Sequence, residues 1–481
     1  MIESLEFDSE KYQIRTMEQN GHKITFRDYK GIPYCKYPVE AIQKLYLFVP
    51  EEFYEDKSVG EYQLRTAPIF VTNTVGEYRP GPADEPRVNE KGNINSIFAA
   101  LEHGYVVVSV GVRGCTTRTG KAPALIVDMK AAIRYLRHNK EKIPGNTEWI
   151  VTNGTSAGGA LSALTGATGN SPDYKIYLKK IGAAEERDDV YAASCYCPIQ
   201  NLEHADAAYE WMFGSEQEYH SRKSVLQEND NEIIMEMENE GRLNEKQTEL
   251  SRILKNQFQA YVNHLRLTDG RGNWLQLDEN GEGNFKDYVQ SYVEWSAQDE
   301  LDTHHFGSGF PDLVVEGSDV DNQSYMEVRG GKLTAFHWDG FIKKVTRMKK
   351  TPAFDSLDLT SPENEEFGSE NTDRRHFTEL SKKFSEKDGE MAEAFVVKRM
   401  NPMRYIGKAD TAKHWRIRHG VFDRATALAM PIILATKLMD KGYDVDFYLP
   451  WGISHGGDYD LDELFAWIDR ICLEQPQLCF T

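Results

Sequence analysis

The sequence predicts an α/β protein, a doubly wound and mostly parallel sheet interrupted by one large insertion. Three observations carry this. Short runs of Val, Ile and Phe alternate with stretches whose apolar residues recur at helical spacing. One run, Ile150-Val-Thr152, passes through Gly154-Thr-Ser-Ala-Gly-Gly159 directly into an Ala- and Leu-rich segment. The alternation stops near residue 203 and resumes near residue 398.

Taken in order, Ala41 to Pro50 alternates and then becomes apolar, as a strand does. Pro68-Ile-Phe-Val-Thr72 and Gly104-Tyr-Val-Val-Val-Ser-Val110 are buried strands, because a parallel sheet covered on both faces needs continuous apolar runs. Ile126, Met129, Ile133 and Leu136 lie on one helical face. The Ile150 strand follows, then the apolar Tyr191–Pro198 run. Cys195 and Cys197 fall in that run, where a strand would put both thiols on one face. They read as small buried hydrophobes rather than metal ligands, because no second pair matches them. Ser215 to Asn256 is rich in Glu, Gln, Asn and Lys at helical spacing, and a charged segment, Glu363 to Met391, closes the insertion. His414 to His419 reads as a strand, Arg424 to Lys441 as a helix stopped by Gly442, Tyr443 to Leu449 as the last strand, and Asp460 to Cys472 as the last helix. The expected organisation is a catalytic domain in two parts, residues 1–202 and 398–481, with a lid inserted at 203–397.

Composition narrows the function classes. The chain has 481 residues and a net charge of −20. Nucleic acid and anionic membrane both require basic patches, so neither is an expected partner. No secretory leader and no run near 20 apolar residues is present in this chain, so a cytoplasmic location is expected. Six scattered cysteines (Cys35, Cys115, Cys195, Cys197, Cys472, Cys479) suggest reduced thiols. His304 and His305 lack an H-E-x-x-H frame, and no metal or organic cofactor is indicated. No motif sets the oligomeric state.

Strand, tight turn with serine at its apex, helix: this context makes Gly154-Thr-Ser156-Ala-Gly158 a nucleophile elbow of the α/β-hydrolase type. Gly154 and Gly158 are needed because a Cβ there would clash with the neighbouring strand or helix. Otherwise Ser156 would be a serine in a glycine-rich turn. A serine hydroxyl needs a base, and the base needs an orienting acid. In this fold they come in the order Ser, acid, His. Asp423 follows the penultimate strand and His455 the last one, both at strand C-termini. Asp446 competes for the acid role but sits inside a strand. Asp423 could instead cap the helix expected from Arg424, and His455 could be a polar loop residue. Backbone N–H groups of Ala157 and of Gly76 or Glu77, in the loop after the Pro68–Thr72 strand, are the candidate oxyanion donors. That loop also reads as an exposed Gly/Pro turn.

Beyond the fold, the chain resembles the bacterial tannases (tannin acyl hydrolases). The resemblance rests on Thr66–Gly76, Pro80–Asp84, Ile126–Tyr135, Thr152–Gly159, Asn201–Asp206, Arg347-Met-Lys349, Pro352–Asp355, Leu357–Asn364, Lys413–Gly420 and His455 to Leu461. It implies an α/β-hydrolase with Ser156, Asp423 and His455 as catalytic triad, acting on galloyl esters, with an acyl pocket in the lid. The family's galloyl-binding lysine and glutamate match Lys349 and Glu363, which read alone as solvated lid charges. The family pattern Asp-Arg-Asp is Asp423-Arg424-Ala425 here, so one polar anchor for the ring is missing. A serine esterase of galloyl esters is the expected function, its partner a small phenolic ester. A feruloyl or hydroxycinnamoyl esterase is the alternative that Ala425 favours. A serine peptidase of the prolyl-oligopeptidase type would bring blade repeats, which are absent from the sequence. A non-catalytic hydrolase-like binding protein would not need Ser156, Asp423 and His455 together.

Overall fold

The computed structural model describes residues 2 and 4–473, except 20, 89–92, 226–234, 305–314, 316, 317, 319, 322 and 323. Cys479 and His305 lie outside the described residues. Nine strands form one sheet: β1 (Gln13–Gln19), β2 (His22–Pro33), β3 (Lys44–Pro50), β4 (Pro68–Thr72), β5 (Val106–Val110), β6 (Asn146–Thr155), β7 (Ala192–Tyr196), β12 (His414–Arg418) and β13 (Asp444–Tyr448). Their order is β1-β2-β3-β5-β4-β6-β7-β12-β13. From β5 to β13 neighbours run parallel, while β1, β2, β3 and β5 pair antiparallel.

The parallel strands match the apolar runs. Every residue of β4 and β5 is buried, as strands covered on both faces must be. The helix Ala124–His138 packs on the helix Ala157–Ala167, which itself lies against β6 and β7. The antiparallel edge was not marked by such runs. In β1, Ile14 is 57% exposed and its neighbours are charged or polar, so no apolar stripe announces the strand.

Between β7 and β12 the chain leaves the sheet. The helix Leu202–Phe213 comes first, followed by the hairpin β8 (Glu218–Val225) and β9 (Met235–Arg242). The helices Glu245–Leu265 and Asn284–His304 follow, then a second hairpin, β10 (Met326–Arg329) and β11 (Lys332–Phe336). Four short helices precede β12. The helical reading of Ser215 to Asn256 is therefore corrected for its first half. Opposite charges face each other across the hairpin at Glu218 and Arg242, and such a cross-strand pair favours a strand over a helix.

The helix expected from Arg424 begins at Ala429 instead and ends at Asp440. Pro431 explains the late start. It has no N–H to give, so it is tolerated only in the first turn. Gly442 follows with φ +79°, as a helix stop should. Among the described residues no helix is long and apolar enough to cross a membrane.

Candidate active site

The elbow places its serine by strain. Ser156 has φ 62° and ψ −123° between β6 and the helix Ala157–Ala167. Positive φ costs a non-glycine residue of order 1–3 kcal/mol and persists only where the surroundings enforce it. Here they do. Ser156 N donates to Tyr196 O at 3.0 Å, and its carbonyl accepts from Ala160 and Ile199. A Cβ on Gly154 would run into the Gly158 carbonyl, and one on Gly158 into Asn73 and the Val75 carbonyl. The glycine requirement expected from the motif is thus a matter of backbone contact.

The loop after β4 is tied to the elbow. Gly158 N donates to Val75 O at 3.0 Å, and Asn73 Nδ2 donates to the carbonyls of Asn153 and Gly158. This brings Gly76 and Glu77 beside the first turn of the helix, where Ala157 N–H has no intrahelical partner. Glu77 and Tyr78 both have positive φ. The turn is tied to the elbow through Asn73 and Val75, while Gly76 and Glu77 themselves are exposed.

His455 and Asp423 arrive from the other side. His455 Nε2 lies 2.9 Å from Ser156 Oγ, and His455 Nδ1 lies 2.8 Å from Asp423 Oδ2. Asp423 is fully buried and its Oδ1 accepts from Ala425 N at 2.8 Å. Asp423 does not cap the following helix, which starts six residues later. Asp446 is turned to Arg418 at 2.8 Å. The His455 loop is pinned twice. Asp458 accepts from Asn153 Nδ2 at 2.9 Å, and Asp460 accepts from Tyr196 and Arg416. Loss of solvation works to lower the His455 pKa, but the Asp423 charge and hydrogen bond outweigh it and raise it. Burial works to raise the Asp423 pKa, but His419 and His455 hold it below the usual carboxylate range.

Cys197 corrects a further expectation. It lies just past β7 at φ 35°, so it does not share a strand face with Cys195. Its Sγ is 4.0 Å from His455 Nε2 and donates to Gly456 O at 3.3 Å. Cys197, Asp423 and His455 have donor atoms within 4.8 Å of one another. Asp423 and His455 are already bonded to each other, so the group is a hydrogen-bonded pair with a thiol beside it.

Lys349 and Glu363 come from the inserted segment, and buried polar anchors set their positions. Asp206, Tyr209 and Glu210 share one face of the helix Leu202–Phe213. Asp206 accepts from the N–H groups of Phe354 and Asp355. Tyr209 Oη accepts from Met348 N and Lys349 N. Glu210 pairs with Arg347 at 2.7 Å and accepts from Thr351. Asp355 in turn accepts from Asn364 Nδ2, Phe377 N, Thr378 N and Thr378 Oγ1, and bonds His376 Nδ1. It thereby fixes the helix Pro362–Glu366 that carries Glu363. Sequence reasoning assigned no role to Asp206, Glu210 or Asp355. The bonds of Asp206 and Glu210 join segments 137–149 residues apart, and those of Asp355 span 9–23 residues of irregular chain, which no local pattern displays.

The Lys349 ammonium lies 3.8 Å over the Phe354 ring and no carboxylate among the described residues lies within 4 Å of it. Burial pushes the Lys349 pKa down against the pull of Glu363, Asp206, Asp423 and Glu77. Burial pushes the Glu363 pKa up against Lys349. Burial and the nearby Asp355 push Asp206 up to about 7. Lys349 and Glu363 thus sense each other, and Lys349 also senses Asp423. The structure brings these residues into one electrostatic neighbourhood.

A strained serine, an imidazole bonded to it and a buried carboxylate behind the imidazole are suited to acyl transfer. The BD-FAE family model matches residues 84–238. Esterase LipC of Mycobacterium tuberculosis is 40% identical over 75 residues, a match spanning 16% of this chain and 18% of LipC. The chain therefore covers under a fifth of that relative. Tannase from Lactobacillus plantarum superposes with a TM-score of 0.91 at 44% identity, covering 98% of this chain and all of that one. Tannase from Fusobacterium nucleatum gives 0.89 at 43%, covering 98% and 99%. A tannin acyl hydrolase solved in complex with ethyl gallate gives 0.88 at 44%, covering 97% and 99%. Fold and relatives together define a carboxylic ester hydrolase of the α/β-hydrolase class. Within that class, the chain belongs to the tannase family.

Proposed function

We propose that this enzyme hydrolyses galloyl and related phenolic-acid esters through Ser156, His455 and Asp423. The observation that carries the proposal is the unbroken line of hydrogen bonds, Ser156 Oγ to His455 Nε2 and His455 Nδ1 to Asp423. His455 takes the Ser156 proton as the oxygen attacks the ester carbonyl. The backbone N–H groups of Ala157 and of Gly76 or Glu77 receive the developing oxyanion. His455 then donates the proton to the leaving alkoxide, and an acyl-enzyme remains. Water enters and attacks the acyl carbon, losing a proton to His455, which returns it to Ser156 Oγ as the acid is released.

Residues 203–397 act as the lid in this reading and supply the acyl pocket. Three adjacent phenol groups call for a cationic donor and a carboxylate acceptor at fixed separation. Lys349 and Glu363 meet that need, each held by buried bonds to the helix Leu202–Phe213 or to Asp355. Ala425 favours a second reading. Where a carboxylate would bind a ring hydroxyl, this chain offers a methyl group, and an unpartnered buried hydroxyl costs about 1–3 kcal/mol. The pocket then accepts protocatechuate or a hydroxycinnamate as well as gallate.

The test compares kcat/KM for methyl gallate, methyl protocatechuate, methyl ferulate and a short p-nitrophenyl ester, with Ser156→Ala as blank. Preference for methyl gallate supports the first reading. Equal or better turnover of methyl protocatechuate or methyl ferulate supports the second. Turnover of none of them refutes both.

A further inference from the structure

His419 is buried on all sides, and neither of its ring nitrogens has a hydrogen-bond partner among the described residues. Buried polar groups are seldom left so, and each exception calls for an explanation. Its Nδ1 lies 3.7 Å from Asp423 Oδ2, the oxygen that also bonds His455 Nδ1. Two imidazoles thus flank one carboxylate oxygen.

The backbone holds His419 there. It is the first residue beyond β12, and its N–H donates to Tyr448 O at the end of β13. The next residue, Gly420, has no room for a Cβ against Ile453, and Asp423 N closes the turn on Gly420 O at 3.0 Å. His419 and Asp423 are therefore fixed four residues apart across one tight turn.

Asp423 has little else to hold its charge. A carboxylate can accept about four hydrogen bonds. Among the described residues Asp423 accepts one from Ala425 N and one from His455. Isolated ionised carboxylates are costly to bury.

We infer that His419 is a positioning residue for Asp423, a neutral imidazole whose Nδ1–H faces the carboxylate and keeps it ionised and turned to His455. The inference rests on the Ser156–His455–Asp423 reading and adds a fourth side chain to it. Burial favours the uncharged ring, lowering the His419 imidazole pKa against the pull of Asp423. The other groups acting on this cluster are Lys349, whose charge reaches Asp423, and Cys197, which acts on His455.

With the Nδ1–H removed, Asp423 binds a proton more tightly. The Asp423–His455 pair then releases its proton at higher pH, and the acid limb of kcat/KM moves up.

The experiment is the pH profile of kcat/KM for a p-nitrophenyl ester in wild type, His419→Phe and His419→Asn, with thermal melts to certify folding. His419→Phe is expected to raise the acid limb by about one pH unit and lower the plateau about tenfold. The Asn amide can present an N–H where Nδ1–H stood, so His419→Asn is expected to return the limb close to wild type. A limb unmoved in His419→Phe overturns the inference and leaves His419 a packing residue. Should His419→Phe not fold, nitrogen NMR of labelled histidine in wild type decides. A neutral ring with its proton on Nδ1, shifting in step with the acid limb, is expected. A proton on Nε2, or no response, overturns the inference. Ser156→Ala in the same assay separates the two levels: retained activity there refutes the underlying triad, whatever His419 does.

Discussion

Replacing Lys349 by Met tests the acyl pocket while leaving Ser156, His455 and Asp423 in place. The ammonium sits over Phe354 and makes no ion pair among the described residues. Burial already disfavours its charge. Such a cation is costly to keep without a ligand, and a phenol oxygen or phenolate in the pocket would be its partner. Hydrogen bonds to charged groups contribute about 1.5–3 kcal/mol, which corresponds to a loss of about 10- to 150-fold in kcat/KM. Met preserves the unbranched stem and its packing on Phe354. Removing an unpaired, partly buried charge should leave the melting temperature unchanged or raise it. The assay is kcat/KM for methyl gallate beside p-nitrophenyl acetate, which has no ring hydroxyl to bind on the acyl side. The expected result is a loss confined to methyl gallate. A parallel loss on both esters, or none on methyl gallate, would refute the reasoning, because the lysine would then serve structure or solvent alone.

Three further outcomes are expected. Asp423→Asn removes the charge that raises the His455 pKa, so kcat should fall about 10⁴-fold. The residual acid limb should move to lower pH, since a base with a lowered pKa stays neutral further down; a pH–rate profile reads both. Asp355→Ala breaks five bonds that join three segments. It should cost about 3–5 kcal/mol in denaturant unfolding and weaken methyl gallate turnover more than that of p-nitrophenyl acetate. Ala425→Asp adds a carboxylate beside the pocket and should raise the ratio of kcat/KM for methyl gallate over methyl ferulate about tenfold.

Much of the catalytic half was legible because its signals are local. The elbow announces itself in six residues, and Asp423 and His455 follow strands that alternate apolar with polar residues. The β1–β2 edge was not legible, since Ile14 and its polar neighbours give no buried stripe. The β8–β9 hairpin was misread because its Glu- and Lys-rich residues were read by helical spacing alone, whereas the pairing of Glu218–Val225 with Met235–Arg242 joins residues far apart in the chain. The anchoring of Lys349 and Glu363 was hidden for another reason. Asp206 and Glu210 act across the chain and Asp355 across irregular loops, and their residue types are those of ordinary surface acids. Cys197 shows how one backbone angle redirects a side chain that strand alternation would send elsewhere.

The most direct measurement is mass spectrometry of enzyme quenched during turnover of methyl gallate, with peptide mapping of the acyl adduct. The account predicts a galloyl group on the peptide carrying Ser156 and no adduct in Ser156→Ala, which should also lack turnover. An adduct on the peptide carrying Cys197, or full turnover by Ser156→Ala, would contradict it.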